Sequence, residues 1–152
     1  VIDPNDDIPI QLAETLVSVL NIDFAGVFIS EFDFVVENDV KELKDLKVTI
    51  VPGGLDASEL LDRGATVEND WLVGIGFQQR VSRKGDVETK AILKIVRQVR
   101  DYINRNRIIT IGDDEFLIES IESRPYLDQE LLLSGHFYSA IVLTIREWED
   151  LD

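Results

Sequence analysis

The chain carries a single histidine and no cysteine, and this narrows the chemistry open to it. Cysteine nucleophiles, disulfides and zinc–thiolate sites are excluded, and a histidine-based triad would have to use His136. His136 opens a strand-like run beside Gly135, so the expectation is an exposed position at a strand edge rather than a catalytic base. Calcium chemistry has one candidate: Asp3, Asn5, Asp7 and Glu14 fall at positions one, three, five and twelve of a calcium loop. Position six, however, is Ile8 where the turn needs glycine, and Pro9 follows. An acidic helix N-terminus explains these residues more simply. Asp113, Asp114 and Glu115 cluster on a hairpin tip, where acids are ordinarily solvated. Gly74-Ile75-Gly76 is half of a dinucleotide fingerprint, set inside a strand and lacking the third glycine. Pro52-Gly53-Gly54-Leu55 lacks the P-loop lysine and serine, and no G-x-S-x-G elbow occurs. The sequence specifies no catalytic or metal site, and the expectation is no cofactor.

Charge says more. Thirty acidic against fifteen basic residues give a formal net charge of −15. Such a surface repels nucleic acid at long range and resists adsorption to anionic membranes. The basic residues are concentrated. Arg80, Arg83 and Lys84 form the densest patch, and Lys90, Lys94, Arg97 and Arg100 follow on the next predicted helix. A basic surface on so acidic a chain suits self-association by charge complementarity.

That helix, Asp86 to Asn106, is the element around which the rest is organised. Ile92, Ile95, Val96, Val99, Tyr102 and Ile103 recur at helical spacing, leaving the cations on the opposite face. Asp86 suits an N-cap, Glu88 the first turn, and Arg100 and Arg105 the C-terminal end of the macrodipole. Fully burying six such side chains is worth roughly 10–18 kcal/mol as an upper bound, so the helix needs a sheet to pack on. An earlier helix is expected over Ile8 to Leu20, with Asp7 as its cap, a stripe of Ile10, Ala13, Leu16, Val17 and Leu20, and Asn21 as terminator.

Strands are expected at Val27–Val36, Lys47–Val51, Asp70–Val81, Arg107–Ile111, Phe116–Ile121 and His136–Arg146. A short helix or turn fits Asn38–Leu46, and an irregular stretch fits Leu127–Gly135. Gly74 and Gly76 share one strand face, which predicts close packing there, with the major helix as the expected neighbour. His136–Arg146 is apolar on both faces and so reads as a central strand. Runs of strands between helices predict an α+β fold, with a mixed, largely antiparallel sheet of about five to six strands on two main helices. The 152 residues read as one domain, 1–152. It has a long variable loop at about 53–69 and an acidic C-terminal tail at 147–152. The loop holds Leu55, Leu60 and Leu61, which either fold back as cover or meet a neighbour. No signal-like segment opens the chain and no run approaches eighteen apolar residues, so the expectation is a soluble, non-membrane protein.

The order of elements resembles the tail terminator (tail completion) proteins of long-tailed bacteriophages, the lambda tail terminator-like family. The resemblance rests on several stretches: the N-terminal amphipathic helix, the extended Val48-Thr49-Ile50-Val51-Pro52, and the long loop after it. It also rests on the turn from Arg80 to Arg83 leading into Glu88-Thr89-Lys90-Ala91-Ile92-Leu93, and on the final Phe137-to-Arg146 strand after Pro125-Tyr126. It covers most of the chain. The resemblance implies a non-enzymatic virion structural protein, assembled in the host cytoplasm, whose copies form a ring, usually a hexamer. The ring would cap the tail tube, end its polymerisation and meet the head connector or stopper protein, with viral DNA passing through the lumen without specific binding. Six copies at −15 each would carry −90, and acidic walls would let DNA slide without sticking. The residues expected at subunit or tube contacts are Leu55, Leu60, Leu61, Arg80, Arg83, Lys84, Lys90, Lys94, Arg97 and Arg100. Alternatives are another head–tail joining or tube-like ring protein, an acidic-site metal-dependent hydrolase, and a regulatory binding module.

Overall fold

A computed structural model describes residues 8–36, 45–53, 70–82 and 86–148. Two long helices form where the 3.6-residue periodicity is cleanest: α1 at Ile8–Asp23 and, later in the chain, α2 at Asp86–Arg105. Six strands make one sheet: β1 Ser30–Phe32, β2 Lys47–Pro52, β3 Asp70–Arg80, β4 Ile108–Ile111, β5 Asp114–Ser123 and β6 His136–Glu147. A short helix, α3 (Gln129–Leu133), precedes β6. The sheet order is β1-β2-β3-β6-β5-β4. Only β1 and β2 run parallel, and the other neighbours are antiparallel. The fold is α+β, as the alternation of apolar runs predicted.

Strand alternation divides the sheet into two faces. Val48 and Ile50, then Val73, Ile75 and Phe77, then Ile141, Leu143 and Ile145 point to one side. Leu12, Leu16 and Leu20 of α1 and Ile92, Val96, Val99 and Ile103 of α2 join them in a single core. α1 touches β1, β2 and β3 and also β4 at the far edge, so the sheet curls around it. The central strands are buried on the other face as well. Thr49, Val51, Leu72, Gln78, Ala140, Val142 and Thr144 all lie there and are buried. As expected of a central strand, β6 lies between β3 and β5.

Several boundaries differ from expectation. α1 runs past Asn21 to Asp23, because the Asn21 side chain is engaged elsewhere and does not stop the helix. Its amide brackets β1: Ser30 N–H donates to Asn21 Oδ1 (2.6 Å) and Asn21 Nδ2 donates to Ser30 O (3.1 Å). The Ser30 hydroxyl adds bonds to Asn21 Oδ1 and Val17 O. Asp33 N–H donates inward to Ile50 O, so the main-chain groups of Ser30 face away from β2. Asn21 therefore occupies the place a further strand would take. The expected Val27–Val36 strand shrinks to these three residues, since Phe24–Val27 is a turn with Gly26 at φ 84° and Phe34 and Val35 stay exposed.

Gly76 is approached by Val36, whose Cγ2 would lie 3.1 Å from an added Cβ, and not by α2. The reason is parity: α2 covers the face of Val73, Ile75 and Phe77, and the glycines face the other way. The irregular stretch before β6 contains α3, capped by the Asp128 side chain accepting from Leu131 N–H. At the hairpin, Gly112 takes φ 60° and β5 extends to Ser123. The Arg124–Pro125 peptide bond is cis. Most of the expected Asn38–Leu46 helix, the 53–69 loop beyond Gly53, and 149–152 of the tail lie outside the described residues. No helix among the described residues is long and apolar enough to cross a membrane.

Candidate interface surfaces

The outer face of α2 is built by the periodicity that buries its inner face. With Ile92, Val96, Val99 and Ile103 turned to the sheet, Lys90, Lys94 and Arg97 stand one turn apart on the exposed side. Six of the fifteen basic residues (Lys90, Lys94, Arg97, Arg100, Arg105 and Arg107) fall in this short stretch, with Asp101 the one acid among them. Two of the six serve the fold. Arg100 is half-buried and donates to Ser123 Oγ and to Ile121 O, tying α2 to β5. Arg107 donates to Ile118 O (3.0 Å) and Glu119 O (3.1 Å). Arg100 is thus placed differently from its three neighbours, although the sequence grouped them.

Arg80 is exposed at the end of β3 and lines an open depression with Ser82, Glu88 and Gly135. There Ser82 N–H donates to Glu88 Oε2 (3.2 Å), fixing the start of α2 against the strand end. Leu55, Leu60, Leu61, Arg83 and Lys84 lie outside the described residues.

A second surface was not anticipated. Ile22, Val27, Ile29, Phe34 and Val35 are exposed at the α1–β1 end of the molecule, Ile29 at 76% and Phe34 at 65%. Val27 and Ile29 line an open depression of ≈ 910 Å³ with Glu31, Asp45, Leu46 and Ile95. Phe28, Phe32 and Phe34 share strand parity within the expected Val27–Val36 strand, but only Phe28 is buried. Tyr102 of α2 ties the end of α1 down by donating to Asp23 Oδ2 and meeting Phe24 edge-on at 5.6 Å. Burial, then the bond to Asp23 and its charge, push the Tyr102 hydroxyl up to about 12.

His136 corrects the expectation of an exposed edge. Its Cα partner is Arg80 on β3, and the ring is 1% exposed. Neither ring nitrogen meets a hydrogen-bond partner among the described residues. Burial holds its pKa below the ordinary histidine value, and the nearby Asp128 carboxylate partly opposes that. Among the described residues no group of three or more His, Asp and Glu side chains could hold a metal ion.

No protein-family model matches this chain, and neither a curated protein nor a solved structure matches it.

Proposed function

We propose that this chain is a non-enzymatic virion structural protein of the tail terminator kind. In this reading its copies form a ring, expected to be a hexamer, at the junction of tail and head. The ring caps the tube protein, ends its polymerisation and offers its other side to the connector or stopper. Viral DNA passes through an acidic lumen without being bound.

The observation that carries the reading is the separation of charge on the surface. A chain with a net charge of −15 exposes Lys90, Lys94 and Arg97 together on one helix face. Like-charged copies would repel one another at distance, and such a stripe gives each a local place to meet an acidic neighbour. The order of elements supports the same reading by its resemblance to tail terminators.

The test is direct. Light scattering after size exclusion is expected to give the mass of a closed ring, and negative-stain images a central hole. Added to polymerising tube subunits, the protein should arrest their growth at substoichiometric ratio. A monomer at every concentration, with no effect on tube growth, would sink the proposal.

A further inference from the structure

Among the described residues, ten large apolar side chains remain exposed, and five of them lie between Ile22 and Val35. That segment also holds Asp23, Glu31 and Asp33 and no basic residue. Asp45 adds a second carboxylate to the depression, where Lys47 is the one cation among the described lining residues. The depression thus joins exposed Val27 and Ile29 to the carboxylates of Glu31 and Asp45. The outer face of α2 is its converse. Lys90, Lys94 and Arg97 are exposed there, beside Val87 at 83% exposure. Glu88, the one acid between Val87 and Gln98, accepts from Ser82 N–H.

We infer that the 22–35 patch of one copy docks on the outer face of α2 of the next copy. The inference rests on the ring reading and identifies the two surfaces that make its repeated contact. Charge decides the arrangement. A symmetric contact of patch with patch would set acids against acids, and α2 with α2 would set lysines against lysines; both are repulsive. Patch on helix pairs Glu31 and Asp45 with the lysines while the exposed apolar side chains leave water. Because the two surfaces differ, the contact is head-to-tail, the type that closes into a ring when the rotation between copies permits. Docking proceeds through side chains, since Asn21 already bonds the outward main-chain groups of Ser30 on β1.

The experiment is a charge swap read by light scattering. One variant carries Lys90→Glu, Lys94→Glu and Arg97→Glu; the other carries Glu31→Lys and Asp45→Lys. All five positions are exposed, and unchanged far-UV circular dichroism and Tm confirm folding. Each variant alone should stay monomeric at tenfold the concentration at which the wild type assembles. Mixed in equal amounts they should regain the wild-type mass, because every contact then joins opposite charges. The wild type itself should need at least tenfold more protein to assemble in 1 M NaCl, a readout that requires no variant. Retention of the wild-type mass by either variant, or a mixture that stays monomeric, overturns this pairing while leaving the ring intact. A wild type that is monomeric or a closed dimer at all concentrations instead removes the ring reading itself.

Discussion

The two faces of the sheet are both buried but differ in kind. The helix-covered face is largely apolar, with Phe77, Ile75, Ile141 and Leu143 at 0% exposure among the leucines and isoleucines of α1 and α2, and its buried hydroxyls, Ser30 and Ser139, are hydrogen-bonded. The opposite face carries Gly74, Gly76, Thr49, Gln78 and His136. Thr49 Oγ1 and both His136 nitrogens are buried there without a hydrogen-bond partner among the described residues. The first face supplies folding energy by removing apolar area from water. The second buries Val51, Leu72, Ala140 and Val142 in the same way but gives up part of the gain, since a buried polar atom without a partner costs about 1–3 kcal/mol.

The largest test of that contrast is Phe77→Ala, which should cost about 3–5 kcal/mol by opening a cavity in the helix-covered face, measured by urea denaturation. Gly76→Val probes the other face. The new side chain meets Val36, and overpacking of this kind costs about 1–3 kcal/mol. Val36→Ala in the same chain should recover most of it, and a double-mutant cycle showing simple additivity would separate the two residues. Thr49→Val should be the reverse of a core truncation. It removes an unpartnered hydroxyl at nearly constant shape, and a gain of about 1 kcal/mol is expected.

The smallest effect at neutral pH belongs to His136. Its pKa is lowered in the folded protein, so the unfolded chain takes up a proton first as the pH falls. Stability is then full above the ordinary histidine value of about 6.5 and declines below it, towards the depressed folded value. His136→Phe should flatten that part of the Tm-against-pH curve while leaving the acid limb set by carboxylates. An unchanged slope would mean the ring is not buried as described.

The sequence carried the strongly periodic elements well. α2 and β6 follow from regular apolar spacing, and the α+β class follows from the order of runs. What it missed depends on contacts between distant segments. Asn21 looked like a helix stop because asparagine favours helix ends, and its bond to Ser30 nine residues on cannot be read from spacing. His136 looked exposed beside Gly135, but the pairing of Arg80 with His136 and the bond from Val81 N–H to Gly135 O (2.8 Å) bring that end of β6 under cover. Of the candidate surfaces, the cationic stripe of α2 was legible because charge and period coincide. The acidic apolar patch was not, since alternating phenylalanines imitate a buried strand until the fold leaves one of them outside.

The clasp between Asn21 and Ser30 also bears on what the chain avoids. A sheet has two ends at which another strand can add, and unprotected ends invite fibres. At β4 the register, with Ile118 N–H donating to Arg107 O, turns the main-chain groups of Ile108 and Thr110 outward. At β1 the asparagine amide fills the corresponding place with a group that cannot be extended. Two molecules could join through β4, and the joined sheet would then end in a clasp on both sides. Strand addition thus stops at a pair, and a sheet closed off at both ends cannot propagate into a fibre.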